Sequence, residues 1–472
     1  MKKSFSFLVA IIVILIFVTP LLGCSNKSDP NSSKIELDTN VVDLNGATVS
    51  IVADWKWDDM KKPGVNEGWD RWQARIVEAE KRNNCKIELK TISYANKAQS
   101  LTAKMLAGDA PGDIMWVSST YFYTWILGNL LEDLRQYKAI DFNNTDVWLN
   151  NSIAGSSIGD KTYAIWSSEP TFTSMIAFNK KTFKDKGLEN PYYYVEKNEW
   201  TIDKLKELAD KTTEDMDKNG KPEKWGFAGY NEANLVADMV NLYGGKIFDI
   251  VDGKYKFVLD SEKAMQGLNA FADLGKSSSI YKSPEGAAYD TSLKDFEAGN
   301  IAMFEVSYWM LSLLAKVDNF DYGITYFPKK DPKDEYISTT AFWNGWGIPK
   351  SSKLDKKGVA QILNQVWGDH DLTKEKREEA MIATLESQTK DKESINYILD
   401  VFKNNRVKYI LDGEPLGCHW NIKEPTCLFP DAYMAIAGGV STPAQVVSAK
   451  KDAIQAYLDE TYNTKPELQS TN

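Results

Sequence analysis

Asp160-Lys-Thr-Tyr-Ala-Ile-Trp-Ser-Ser-Glu-Pro-Thr-Phe-Thr-Ser-Met-Ile-Ala-Phe-Asn179 is the stretch on which the fold turns. It holds two short β-rich runs, Thr162–Ser167 and Thr171–Phe178, split by Glu169-Pro170. Proline has no N–H to give a sheet ladder, so one continuous strand is excluded. Sequence of α/β pattern lies on both sides, and the stretch reads as a crossing between two lobes. Trp166 and Glu169 sit at the crossing, where a ligand held between lobes would meet a ring and a carboxylate. A core Trp166 and a solvated Glu169 are the alternative at this point.

Upstream, Ala47–Ala53 is a short β-branched run of the kind that forms a buried strand, and it ends at Asp54-Trp55-Lys56-Trp57-Asp58-Asp59. Ligands of open α/β sheets gather beyond the carboxyl ends of the strands, so this aromatic and acidic loop is a candidate binding element. A helical pattern over Trp69–Arg82 puts Trp72, Ile76 and Ala79 on one face, with Trp69 and Trp72 read as core. A strand over Lys86–Ile92 and a helix over Ala98–Leu106 follow. Then come Ala107-Gly108-Asp109-Ala110-Pro111-Gly112-Asp113, a strand over Ile114–Ser119, and Leu127-Gly128-Asn129-Leu130-Leu131-Glu132-Asp133-Leu134.

This succession resembles the extracellular solute-binding proteins of family 1, the sugar-binding subunits of bacterial ABC importers. Gly112 departs from the pattern, which runs Pro-Asp directly, and is expected to change the turn rather than the fold. Similar matches follow in the family's order: Lys161–Ile165, Ile176–Lys180, Glu199-Trp200-Thr201 through Asp210 with Thr201 as N-cap, Asp217–Lys221 up to Phe227, Phe296–Met303 and Phe320–Ile324. The resemblance spans about Thr48 to Lys350. The acidic turn at Asp217 is too short for an EF-hand, and Pro222 cuts it, so it reads as a solvated turn. Val440–Tyr462 resembles a closing helix, with Thr442 as N-cap and Pro443 at the first helical position.

The resemblance implies an α/β, two-lobed, periplasmic-binding-protein-like fold with crossing hinge segments and a ligand cleft between the lobes. The expected division is 46–165 and 328–415 for lobe 1, and 166–327 and 416–472 for lobe 2. Strand-end residues are the candidate ligand contacts: Trp57, Asp58, Trp116, Ser118, Trp343, Asn344 and Trp346 from the first lobe, and Tyr230, Asn231, Phe304, Glu305 and Trp309 from the second. Trp166 and Glu169 stand at the crossing. Sugars suit such a set, because their C–H faces stack on rings while their hydroxyls seek carboxylates, amides and backbone groups.

At the amino end, Lys2 and Lys3 precede an apolar run from Phe7 to Val18 and then Leu21-Leu22-Gly23-Cys24. Twelve apolar residues are too few to span a hydrocarbon core of roughly 30 Å, so 1–23 reads as a secretory signal. Its last four residues resemble the bacterial lipobox, which implies cleavage before Cys24 and acylation of its sulfur. The polar segment 24–45 then reads as a tether, and the protein as lipid-anchored outside the cytoplasmic membrane, a monomer delivering carbohydrate to ABC permease subunits.

Composition narrows the function further. The 472 residues exceed what one core organises, and the formal charge of −10, with no basic patch, argues against nucleic acid or anionic lipid as partner. Aromatic residues make up 12% of the chain, more than two cores need. Two histidines, His370 and His419, exclude a His-based dyad or a multi-His metal site, and no cofactor is expected. Cys418 and Cys427 read either as a disulfide, which would contribute on the order of 2–3 kcal/mol, or as two thiols. A secreted two-carboxylate glycoside hydrolase and a binding protein for a non-sugar solute such as a polyamine remain alternatives.

Overall fold

The computed structural model describes residues 40–465 except 59, 65–66, 93–96, 145–146, 149–152, 154, 167–170, 230–231, 285–289, 341–343, 405 and 410–430. Its principal elements begin with β1 (Ala47–Ala53), α1 (Glu67–Arg82), β2 (Cys85–Thr91), α2 (Lys97–Leu106), β3 (Ile114–Ser118) and α3 (Ser119–Leu127). After the crossing come β4 (Met175–Asn179), α4 (Ile202–Thr212), β5 (Trp225–Ala228), α5 (Glu232–Leu242), α6 (Glu262–Gly275), β6 (Ile301–Val306) and β7 (Tyr322–Tyr326). The chain continues with β8 (Ser338–Thr340), β9 (Asn344–Gly347), α7 (Lys356–Trp367), α8 (Lys374–Gln388), α9 (Lys392–Lys403), β10 (Val407–Tyr409) and α10 (Pro443–Leu458).

Two four-stranded sheets carry the architecture, in the orders β9-β3-β1-β2 and β7-β4-β6-β5. In the first, β1 runs parallel to β2 and β3, and β9 closes the edge antiparallel to β3. In the second, β4 is antiparallel to β6 and β7, while β6 and β5 are parallel. β1 is apolar at nearly every position because both faces of its sheet are covered. Val49, Ile51 and Ala53 pack with α1 and α7, and Val52 packs with residues of α2 and α3.

Gly112 is required by close packing. A Cβ there would stand 2.2 Å from Val52 Cγ2 and 2.9 Å from the Ser50 carbonyl. The next residue uses that proximity: Asp113 accepts from the Ser50 N–H at 2.9 Å and from Ser352 Oγ at 2.6 Å. The departure from the family pattern thus seats the turn directly on β1.

The chain passes between the sheets where the sequence indicated. Ile165 exchanges two backbone hydrogen bonds with Trp346 on the edge of β9, at 3.0 and 2.8 Å. The chain then re-enters beside β8, where the Thr173 N–H donates to the Thr339 carbonyl at 2.8 Å. The segment from β7 to β9 is the return crossing, and β8 within it pairs in parallel with β10. Segments from three parts of the sequence therefore run side by side at the junction.

The segment 328–415, expected in lobe 1, includes α9. That helix packs on β7 of the second sheet: Ser394 Oγ accepts from the Ile324 N–H at 2.7 Å, and Tyr326 Oη donates to Asp400 at 2.6 Å. Helical periodicity reveals an apolar face, but only the fold reveals which sheet covers it. The caps at Thr201 and Thr442 form as expected, the latter as a full capping box with Gln445 and with Pro443 at its start.

Candidate functional site

The carboxyl ends of β1 and β3, the start of β9 and the crossing converge on a layer of tryptophans. In the antiparallel register Ser118 faces Asn344 and Trp116 faces Trp346, and with a side-chain period of two all four share one face. Trp116 is the hub, with ring centroids 4.8 Å from Trp55, 4.8 Å from Trp166 and 5.2 Å from Trp346. Behind it, Trp346 stacks on Trp367 at 4.2 Å and Trp57 on Trp72 at 5.6 Å. Edge-to-face contacts dominate the front and stacked contacts the back, the two arrangements that ring quadrupoles favour.

Exposure divides this layer. Trp55, Trp116 and Trp166 are half-buried, whereas Trp57, Trp72 and Trp346 are 2, 3 and 0% exposed. Trp57 and Trp346, expected as ligand contacts, are therefore core residues that support the layer. Trp57 also spends its indole N–H on the Lys90 carbonyl, at 3.0 Å. The residue that the sequence reading passed over is Trp55, two positions earlier in the same loop. Alternation along the loop signalled that both rings share a side, but not which of them would be covered.

Ser118 is buried, Asn344 half-buried and Asp58 exposed. On the second sheet, Phe304 is fully buried and stacks on Phe296 at 5.6 Å, so it too is core. Glu305, its neighbour on β6, is likewise closed to solvent. Trp309, in the turn Tyr308–Met310, is 44% exposed. Glu169, Tyr230, Asn231, Trp343, Cys24, Cys418 and Cys427 lie outside the described residues.

A polar network not foreseen from sequence lies at the junction. Thr339 on β8 donates its hydroxyl to Asp238 of α5, and its Oγ1 lies 3.0 Å from Thr173 Oγ1 and 3.2 Å from Ser174 Oγ. Ser338 Oγ donates to the Ser174 carbonyl at 2.6 Å, and Ser307 Oγ to the Thr173 carbonyl at 2.9 Å. A lone acid within the apolar run Leu235–Val240 was the signal available in the sequence.

The acidic turn offers the one potential cation-ligating group among the described residues: single carboxylate oxygens of Asp215, Asp217 and Glu223 lie within 4.8 Å of one another. Backbone N–H groups already engage them, from Asn219 and Gly220 to Asp215 at 3.1 and 2.8 Å and from Met216 to Glu223 at 2.6 Å. No described helix is long and apolar enough to cross a membrane.

The arrangement can hold a flat apolar face against three partly open rings, with an amide and a hydroxyl at the strand ends beside them. Solved structures of the same fold are numerous. An ABC substrate-binding protein of Listeria monocytogenes in complex with cycloalternan superposes with a TM-score of 0.62 at 18% identity, covering 89% of this chain and 100% of its own. A cyclo/maltodextrin-binding protein complexed with maltotetraose gives 0.61 at 17%, covering 88 and 97%. A protein solved with mannotriose bound gives 0.59 at 17%, covering 87 and 100%. No curated protein matches the sequence. The family model of the bacterial extracellular solute-binding proteins matches residues 74–392. That match covers most of the folded chain, from α1 to the start of α9, and the chain belongs to the bacterial extracellular solute-binding proteins.

Proposed function

We propose that this protein captures a carbohydrate, an oligosaccharide rather than a single sugar, and delivers it unchanged to the permease of an ABC importer. The observation that carries this reading is the layer of Trp55, Trp116 and Trp166 at the strand ends, three adjoining rings that match successive sugar faces. The same-fold structures with cycloalternan, maltotetraose and mannotriose support it. Family members and these relatives are binding proteins, and binding without turnover is part of the proposal.

Asn344 and Ser118 would meet hydroxyls beside the rings, and Trp309 would close on the ligand from the second sheet, with Glu169, Tyr230, Asn231 and Trp343 completing the set. Closure requires only that the ligand contact both lobes better when they approach, which biases an existing equilibrium. Residues 46–165 and about 328–367 would form lobe 1, with most of the remaining folded chain in lobe 2. Cys24 would carry the lipid and 24–45 the tether, so that a monomer works at the outer face of the cytoplasmic membrane.

Calorimetric titration against cycloalternan, maltodextrins, mannotriose and polyamines tests the assignment. The expected result is saturable binding of one oligosaccharide series, with a shift in tryptophan fluorescence and a smaller radius of gyration. Release of reducing sugar would move the protein to the hydrolases, and binding of polyamines alone would overturn the carbohydrate reading.

A further inference from the structure

Trp367-Gly-Asp-His-Asp-Leu-Thr373 joins α7 to α8 and sets a glycine, a histidine and two aspartates in one turn. The helices on either side belong to different sheets. α7 buries Val359, Ile362, Leu363 and Val366 with Val49 and Ile51 of β1, whereas α8 buries Leu385 in the cluster that holds β4, β6 and β7. The last residue of α8, Gln388, accepts the Tyr322 hydroxyl of β7 on its carbonyl at 2.9 Å. The chain therefore passes again from the first sheet to the second within residues 368–373.

Each end of this turn is held by an arginine from its own side. Gly368 lets the chain fold back on α7, where a Cβ would press on the His370 ring and stand 2.6 Å from the Asn364 carbonyl, and His370 Nε2 lies 3.1 Å from Asn364 Oδ1. Arg75 of α1 reaches across with Nη1 to Asp369 and, at 3.0 Å, to Asp371. Arg377, in the first turn of α8, donates Nη2 to the Leu372 carbonyl at 2.6 Å, on the residue next to Asp371. Burial, and then the charges of Arg377 and Arg75, hold the His370 imidazole below its ordinary pKa, so both guanidinium groups bear on the same turn.

Donors and acceptors do not balance here. Arg377 Nε and Nη1 and Arg75 Nε are closed to solvent and have no acceptor among the described residues. A buried N–H of a cation that has lost its water and found no acceptor is destabilising. The turn offers two carboxylates to two guanidinium groups, and Arg75 holds both. Asp371 is the one free to change hands, because its side chain is 44% exposed and its neighbour Leu372 is already bound to Arg377. We infer that residues 368–373 are a hinge, and that Asp371 is exchanged there between Arg75 on the first lobe and Arg377 on the second as the lobes change their separation. In the arrangement described Arg75 has it and Arg377 is left short of acceptors; rotation of α8 about the turn reverses this. The deficit on Arg377 brings the two arrangements closer in free energy, which lets a ligand's difference in affinity for them decide between them. The exchange depends on lobes that open and close and not on the identity of the ligand.

Spin labels carried by noncanonical residues at the exposed positions Glu78 on α1 and Lys276 just after α6 read the lobe separation in the ligand-free protein. Arg75→Met should shift the populations of the two separations one way and Arg377→Met the other, each by about 10-fold, the weight of a hydrogen bond to a charged group. In an Asp371→Asn background, Arg377→Met should lose most of its effect. Shifts of both arginine variants in the same direction, or distributions that neither variant moves, overturn the exchange, and so does an Arg377→Met shift undiminished by Asp371→Asn. Where an arginine variant fails to fold, nitrogen-15 spectra of the arginine Nε–H groups decide: the Arg75 and Arg377 resonances should both move on Asp371→Asn, and an Arg377 resonance that stays in place overturns the proposal. No sugar is added, so lobes that move without exchanging Asp371 overturn the exchange alone and leave carbohydrate capture standing.

Discussion

Trp116 and Trp346 stand opposite each other on neighbouring antiparallel strands, with ring centroids 5.2 Å apart and planes at 62°, yet one is half-open to solvent and the other is completely closed. The pair separates two roles that the same residue type plays at one strand end. Trp346 is enclosed by Trp57 and Trp367 as well as Trp116, so its area is spent on the core. Trp116 keeps part of its ring open, where the proposed ligand would stack.

Replacing each with alanine should separate the roles. Trp116→Ala should weaken oligosaccharide binding by about 2 kcal/mol, roughly 30-fold, with little loss of fold. Trp346→Ala should lower folding stability by about 3–5 kcal/mol through the cavity it leaves. Calorimetry and urea denaturation on both variants check this; equal effects of the two substitutions on both measurements would show that exposure does not separate them.

Gly112→Ala should be destabilising by about 1–3 kcal/mol, because the added methyl meets Val52 and the Ser50 carbonyl, and the latter cannot swing aside. The denaturation midpoint reads this directly. An unchanged midpoint would mean that the turn accommodates the added methyl.

Asp391 fastens α9 to the second sheet: it caps the helix, accepts the hydroxyls of Tyr192 and Ser394, and pairs with Lys180 at 2.8 Å. Burial opposes its ionisation, but the hydrogen bonds from Lys180, Tyr192 and Ser394 prevail and hold the carboxyl below its ordinary value. Because the folded pKa is lowered, the contribution is present above the unfolded value and is lost as pH falls through the folded one. Asp391→Asn should cost about 1–3 kcal/mol at neutral pH, and the gap to the parent should narrow towards about pH 3. Parallel midpoint curves over that range would contradict the assignment.

Cys24→Ala should yield unprocessed or shed protein in place of a membrane-retained lipoprotein, since acylation with a polar tether anchors without a spanning helix. Fractionation and intact mass determine which form is present. Normal maturation and retention of the variant would remove Cys24 from the anchor.

What the sequence by itself determined is local. The β-branched run Ala47–Ala53 became β1 with those bounds, and Thr201 and Thr442 became helix caps, because propensity and capping act over a few residues. The tertiary structure decided which faces are covered. It enclosed Trp57, Trp346 and Phe304, left Trp55 and Trp309 accessible, placed α9 on the second sheet, and set Asp238 beside Thr339. Burial depends on neighbours tens to hundreds of positions away, and no local pattern in the chain encodes which ring will have another placed over it.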